Sequence, residues 1–155
     1  MENTELIVML TWHDVTVENA KEIFLEAKDA PAKYWGFKDV GLPTEQMKDL
    51  VRCMKENGKT TFMECLAHTE EALQKGIDIA LECGFDVFLG GHYFEKTERY
   101  LAEHGLKHLP FVGKRYDHMT HGKLEDLVAE AKSICETTAY GINLATYRWA
   151  DGKPE

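Results

Sequence analysis

Four kinds of side chain that can move protons or attack a carbonyl recur along this chain at a near-regular interval. His13, Lys38, Glu64, His92, Lys114 and Tyr147 follow one another 22 to 33 residues apart, in a repeat of about 25 to 30 residues that is the spacing of strand–helix units and not of a helical solenoid. A lysine shielded from water near other cations has a depressed pKa and serves as a base or a Schiff-base nucleophile. Glutamate and histidine transfer protons, and histidine titrates near neutrality. The pattern predicts Lys38 as the leading nucleophile or base and Glu64 and His92 as proton shuttles. Lys114 then binds an anion or lowers the lysine pKa. Around them His13, Gly90, Gly91, Arg115, Asn143 and Tyr147 are candidate substrate-binding positions. Gly90-Gly91 permits close backbone approach to a ligand, and Arg115 with the amides after Gly122 suits a phosphate or carboxylate. A plainer reading stands beside each: Lys38 and Glu64 pair across adjacent strands as a rim salt bridge, and His92 is a satisfied structural histidine.

These residues need elements to position them. Short apolar runs at Leu6–Thr11, Lys33–Val40, Thr60–Leu66, Asp86–Gly91, His108–Lys114 and Ile142–Tyr147 read as strands, separated by helical patterns with turn residues at their ends. Asp14 or Thr16 is expected to cap a first helix from Val17, which Pro31 ends. Pro43-Thr44 opens a second that buries Met47, Leu50, Val51 and Met54 and closes at Asn57-Gly58. Thr69 caps a third, which buries Ala72, Ile77, Ala80 and Leu81 and stops at Gly84. A shorter helix ends at Gly105, and a fifth begins near Gly122 and buries Leu124, Leu127, Val128, Ala131 and Ile134. His118-Met119-Thr120-His121 is expected to be a mobile loop over a ligand and not a metal site, because no matching ligand set lies nearby.

Alternating strands and helices imply a parallel sheet with its chemistry at the C-terminal strand ends. A doubly wound sheet would carry a glycine-rich loop after its first strand, whereas Trp12-His13-Asp14-Val15-Thr16 has no glycine. Polar residues at every strand end fit a parallel (β/α) barrel of the TIM type, with about six units present in one partial-barrel domain over residues 1–155. Side chains alternate along a strand. If Val8, Trp35, Phe37, Met63, Val87, Leu89, Leu109 and Phe111 face helices, then His13, Lys38, Glu64, His92, Lys114 and Tyr147 face inward together.

A formal charge of −9 argues against nucleic-acid and anionic-membrane partners. No apolar run reaches the length of a membrane span and the first residues are acidic, so a cytoplasmic protein is expected. Cys53, Cys65, Cys83 and Cys135 lack C-x-x-C spacing and read as structural thiols. No cofactor and no metal is expected.

Gly36-Phe37-Lys38-Asp39-Val40-Gly41, Phe62-Met63-Glu64 and Leu89-Gly90-Gly91 resemble the ribulose-phosphate-binding (β/α)8 barrels, which include phosphosugar isomerases, indole-glycerol-phosphate synthase and aldolase-like lyases. The resemblance implies eight strands and a phosphate held after the seventh and eighth. Six strands would leave two sheet edges open, so completion by a further barrel segment or a homo-oligomer is expected. The implied function is an isomerase or lyase acting on a small phosphorylated or carboxylated carbonyl compound, and hence on an anionic substrate. The alternative is a non-catalytic partial-barrel module for assembly or ligand binding.

Overall fold

A computed structural model describes residues 4–153. The chain divides into two compact units. One comprises the chain up to Cys65 with Lys75–Phe88, and the other comprises Leu66–Gln74 with the chain from Leu89 onward.

The first unit begins with β1 (Ile7–Met9), followed by a two-residue hairpin of β2 (Thr11–Trp12) and β3 (Val15–Thr16). His13 and Asp14 form its turn at φ 49° and 63°, the left-handed pair that tight hairpins need and that Asp tolerates better than most residues. The hairpin occupies Asp14 and Thr16, so neither caps α1 (Ala20–Ala27), which starts later than expected and has no side-chain cap. β4 (Tyr34–Lys38), α2 (Thr44–Glu56) and β5 (Thr60–Cys65) follow as the periodicity requires. Met47, Leu50, Val51 and Met54 of α2 are buried, and Gly58 leaves it at φ 71°. α3 (Glu70–Cys83), which the division into units splits after Gln74, buries Leu73, Ile77 and Ala80, with Leu73 in the place expected of Ala72. The Thr69 hydroxyl accepts from the Ala72 amide at 3.2 Å, a side-chain N-cap.

β1 pairs in parallel with β4, and β4 with β5. With β6 (Val87–Gly90) and β7 (Lys107–Leu109), the parallel strands have the order β1-β4-β5-β6-β7. Parallel neighbours follow chain order without a reversal, which rules out the doubly wound arrangement.

The second unit holds α4 (Glu95–Glu103), then β7. Pro110 has no amide to donate and ends β7 early. The expected fifth strand therefore stops short of Lys114. Gly113 at φ 85° turns the chain into an antiparallel hairpin of β8 (Lys114–Tyr116) and β9 (Met119–His121). The segment read as a mobile loop is thus one arm of a hairpin, turned at Asp117 and His118 (φ 49° and 59°). α5 (Leu124–Cys135) follows, but only Ile134 of its expected apolar face is fully buried. The expected sixth strand is reduced to one parallel bridge between Asn143 and Phe111, and residues 146–148 turn into a 3-10 helix. None of the described helices is long and apolar enough to cross a membrane.

Candidate functional site

Strand parity in the first unit delivers the residues it should. Trp35 packs on Phe24 of α1 with ring centroids 5.2 Å apart, and Phe37 packs on Phe85 at 4.9 Å. The opposite parity sets Tyr34 edge-to-face against Phe62 at 5.6 Å and puts Lys38 in register with Glu64. Between them Gly36 has no space for a side chain: a Cβ there would lie 2.6 Å from the Phe62 carbonyl oxygen and 2.9 Å from the Met9 sulfur.

Lys38 is the buried cation of this face. Its Nζ donates to Asp14 Oδ1 at 2.8 Å and lies 3.4 Å from Glu64 Oε2. The lysine side chain is 4% exposed, against 38% for Asp14 and 24% for Glu64, so the cation is dry while both carboxylates touch water. Thr16 fixes the lysine backbone from the hairpin. Its hydroxyl accepts from the Lys38 amide and donates to the Lys38 carbonyl oxygen, both at 2.9 Å. An amine set between two carboxylates can pass its proton to either one, which is what attack on a carbonyl carbon requires.

The second unit assembles a different set. Gly90 and Gly91 have φ of 103° and 67°, and a Cβ on Gly91 would run into Leu73. Their carbonyl oxygens are both used, Gly91 accepting from the Phe111 amide at 2.8 Å and Gly90 facing His108 Nε2 at 2.9 Å. His108 Nδ1 lies 2.7 Å from Glu98 Oε2. A carbonyl oxygen only accepts, so Nε2 carries a hydrogen, and the imidazole and Glu98 hold one more proton between them. Both side chains are almost wholly buried, at 1% and 4% exposure.

His92 follows the glycine pair and is half-buried. Burial lowers its pKa below the ordinary imidazole value; Glu130 opposes this, and the charges of His68 and Arg115 add to it. The His68 and His92 rings are 6.3 Å apart. Arg115 is 9% exposed. Its guanidinium lies over the Phe111 ring at 4.3 Å, and Nη1 donates to Thr120 Oγ1 at 3.1 Å.

The structure thus brings Lys38 and Glu64 together in the first unit, and His92, Gly90, Gly91 and Arg115 into the second. Three expected placements are corrected. His13 is an exposed turn residue whose ring meets Trp12 at 4.7 Å, and its neighbour Asp14 is the one that reaches Lys38. Lys114 is exposed on β8, because the hairpin replaces the strand end that would have turned it inward and buries Arg115 instead. Tyr147 is 91% exposed on the 3-10 turn. Asn143 keeps its place beside the fifth strand through its backbone, donating to Pro110 O at 2.8 Å and accepting from the Val112 amide at 3.2 Å.

Asp14, Glu98 and His108 were not among the expected site residues. Trp12-His13-Asp14-Val15 carries a turn signal that could have found Asp14. Glu98 lies in a charged stretch of α4 with no local mark of burial. Among the described residues no group of three or more His, Cys, Asp or Glu side chains is placed to hold a metal ion.

No protein-family model matches the sequence, and no curated protein matches it. The fold does match solved structures. One is the crystal structure of phospho-2-dehydro-3-deoxyheptonate aldolase (DAHP synthase) from Thermotoga maritima, with a TM-score of 0.52 and 14% identity over 90% of this chain. The chain is an incomplete parallel (β/α) barrel. It spans 41% of the length of that aldolase, and at this identity the likeness concerns the fold alone.

Proposed function

We propose that this partial barrel is a lyase of the aldolase kind, acting on a small phosphorylated or carboxylated carbonyl compound through a Schiff base on Lys38. One observation carries the reading: a dry lysine on the inward strand parity, within reach of two carboxylates that touch water. That the structural neighbour is named an aldolase agrees with it.

The chemistry balances with these groups alone. Glu64 or Asp14 takes a proton from the Lys38 ammonium, and the amine adds to the carbonyl carbon. The carboxylic acid returns the proton to the carbinolamine oxygen, which leaves as water, and a protonated imine remains. Cleavage of the carbon–carbon bond beyond the α-carbon sends its electron pair into the enamine, while a carboxylate takes the hydroxyl proton of the departing fragment. Protonation and hydrolysis then restore the lysine. Lys114, exposed on its hairpin, has no step in this scheme.

Borohydride reduction in the presence of small keto acids or ketose phosphates tests it. The expected result is a reduced adduct mapped to Lys38 by peptide mass spectrometry and absent from Lys38→Met. Reduction without an adduct at Lys38 across that substrate set overturns the Schiff base. The carboxylate-paired state of Lys38 favours a second reading, a ligand-binding module in which the lysine is a structural ion pair. Saturable ligand binding without turnover is its signature.

A further inference from the structure

In a chain of net charge −9, the second unit concentrates positive and protonatable side chains around one small cavity. Its volume is about 210 Å³, and its lining is Leu66, His68, Phe111, Arg115, Asp117 and His118. Arg115 is the fixed element. Phe111 supports one face of the guanidinium and Thr120 takes one of its donors, so the planar fork is held in one orientation at little further entropic cost. Asp117 and His118 are set in place by the β8–β9 turn, both with left-handed backbone.

We propose that this cavity binds a small carboxylate bearing an adjacent hydroxyl or carbonyl oxygen, with Arg115 gripping the carboxylate and His68 and His118 meeting the neighbouring oxygen. Three features select that class. A guanidinium matches a carboxylate in plane and spacing. The space equals about seven waters' share of liquid volume, enough for an acid of about three to five carbons. Asp117 on the wall repels a phosphate dianion more than a carboxylate monoanion, and it can accept from a ligand hydroxyl.

His92 supplies an internal reporter. Besides burial, His68 and Arg115 hold its pKa down and Glu130 pulls it up. A carboxylate on Arg115 offsets that cation, so His92 titrates at higher pH when the cavity is filled.

The test is an NMR titration of the histidine ring signals with lactate, with pyruvate and with inorganic phosphate. Lactate or pyruvate is expected to shift His68 and His118 saturably and to raise the His92 midpoint, with phosphate weaker. Arg115→Gln should raise Kd at least tenfold, and His118→Gln, at an exposed position, at least threefold. The absence of a saturable shift, tighter binding of phosphate, or affinities unchanged in both variants would each overturn the proposal. If Arg115→Gln loses its fold by circular dichroism, His118→Gln and the phosphate comparison decide. His68 and His118 line this cavity and belong to the second unit, whereas Lys38 belongs to the first. A negative result here therefore leaves Lys38 chemistry standing, and a missing borohydride adduct leaves this site standing.

Discussion

The two units place their buried charge differently. In the first, a dry lysine is matched by Asp14 and Glu64, both partly hydrated. In the second, Glu98 and His108 are both removed from water and complete each other behind the Gly90 carbonyl. Partly hydrated carboxylates can recover solvation if their partner is lost; a fully buried imidazole cannot. The first arrangement therefore suits groups that change protonation during a reaction, and the second suits a rigid support.

Removing one partner from each centre tests that difference, and the larger effect belongs to the second unit. Glu98→Ala leaves the buried His108 imidazole without its carboxylate and should cost about 3 kcal/mol in urea unfolding. Glu98→Gln can turn its amide nitrogen to donate to Nδ1 of the neutral imidazole and should cost about 1 kcal/mol. In the first unit, Lys38→Met fills the same space and frees Asp14 and Glu64 to hydrate, at about 1 to 2 kcal/mol. A larger loss for Lys38→Met than for Glu98→Ala would break the comparison.

The smallest effect concerns Asp86, at the edge of the first unit. Burial opposes ionisation of this carboxyl, but Lys55 at 2.8 Å and hydrogen bonds from the Thr61 amide and hydroxyl outweigh it and lower its pKa. A depressed carboxyl contributes stability above its unfolded pKa of about 3.9 and loses that contribution as pH falls through its folded value. Asp86→Asn should cost about 1 kcal/mol at neutral pH. Its difference from the parent should shrink toward acid, as read from unfolding midpoints between pH 7 and pH 3. A constant difference over that range would show that Asp86 acts by packing and not by charge.

Much of the framework was legible along the chain because its signals are local. Gly58, Gly84 and Gly105 each adopt positive φ where a helix was expected to end. The apolar spacing in α2 predicts the four residues it buries. The spacing in α5 does not, since Leu124 and Val128 remain exposed; periodicity marks an apolar face but not whether anything lies against it. The last two units were the least legible. Pro110 and Gly113 together divert the chain from strand to hairpin, and a reading that carried β alternation through them placed Lys114 inward and overlooked the burial of Arg115.

The inward placement of Lys38 and Glu64 was determined by the sequence itself, because alternation along an uninterrupted strand is a property of the covalent chain. Tertiary structure decided which groups answer them. Asp14 reaches Lys38 across 24 residues only because a two-residue turn folds β2 and β3 back on themselves. Arg115 is buried, and Lys114 is not, because the β8–β9 hairpin restarts the alternation in a new plane. The recurring strand ends are local chemistry, whereas the partners of each charge are set by chain reversals that bring distant residues within a hydrogen bond.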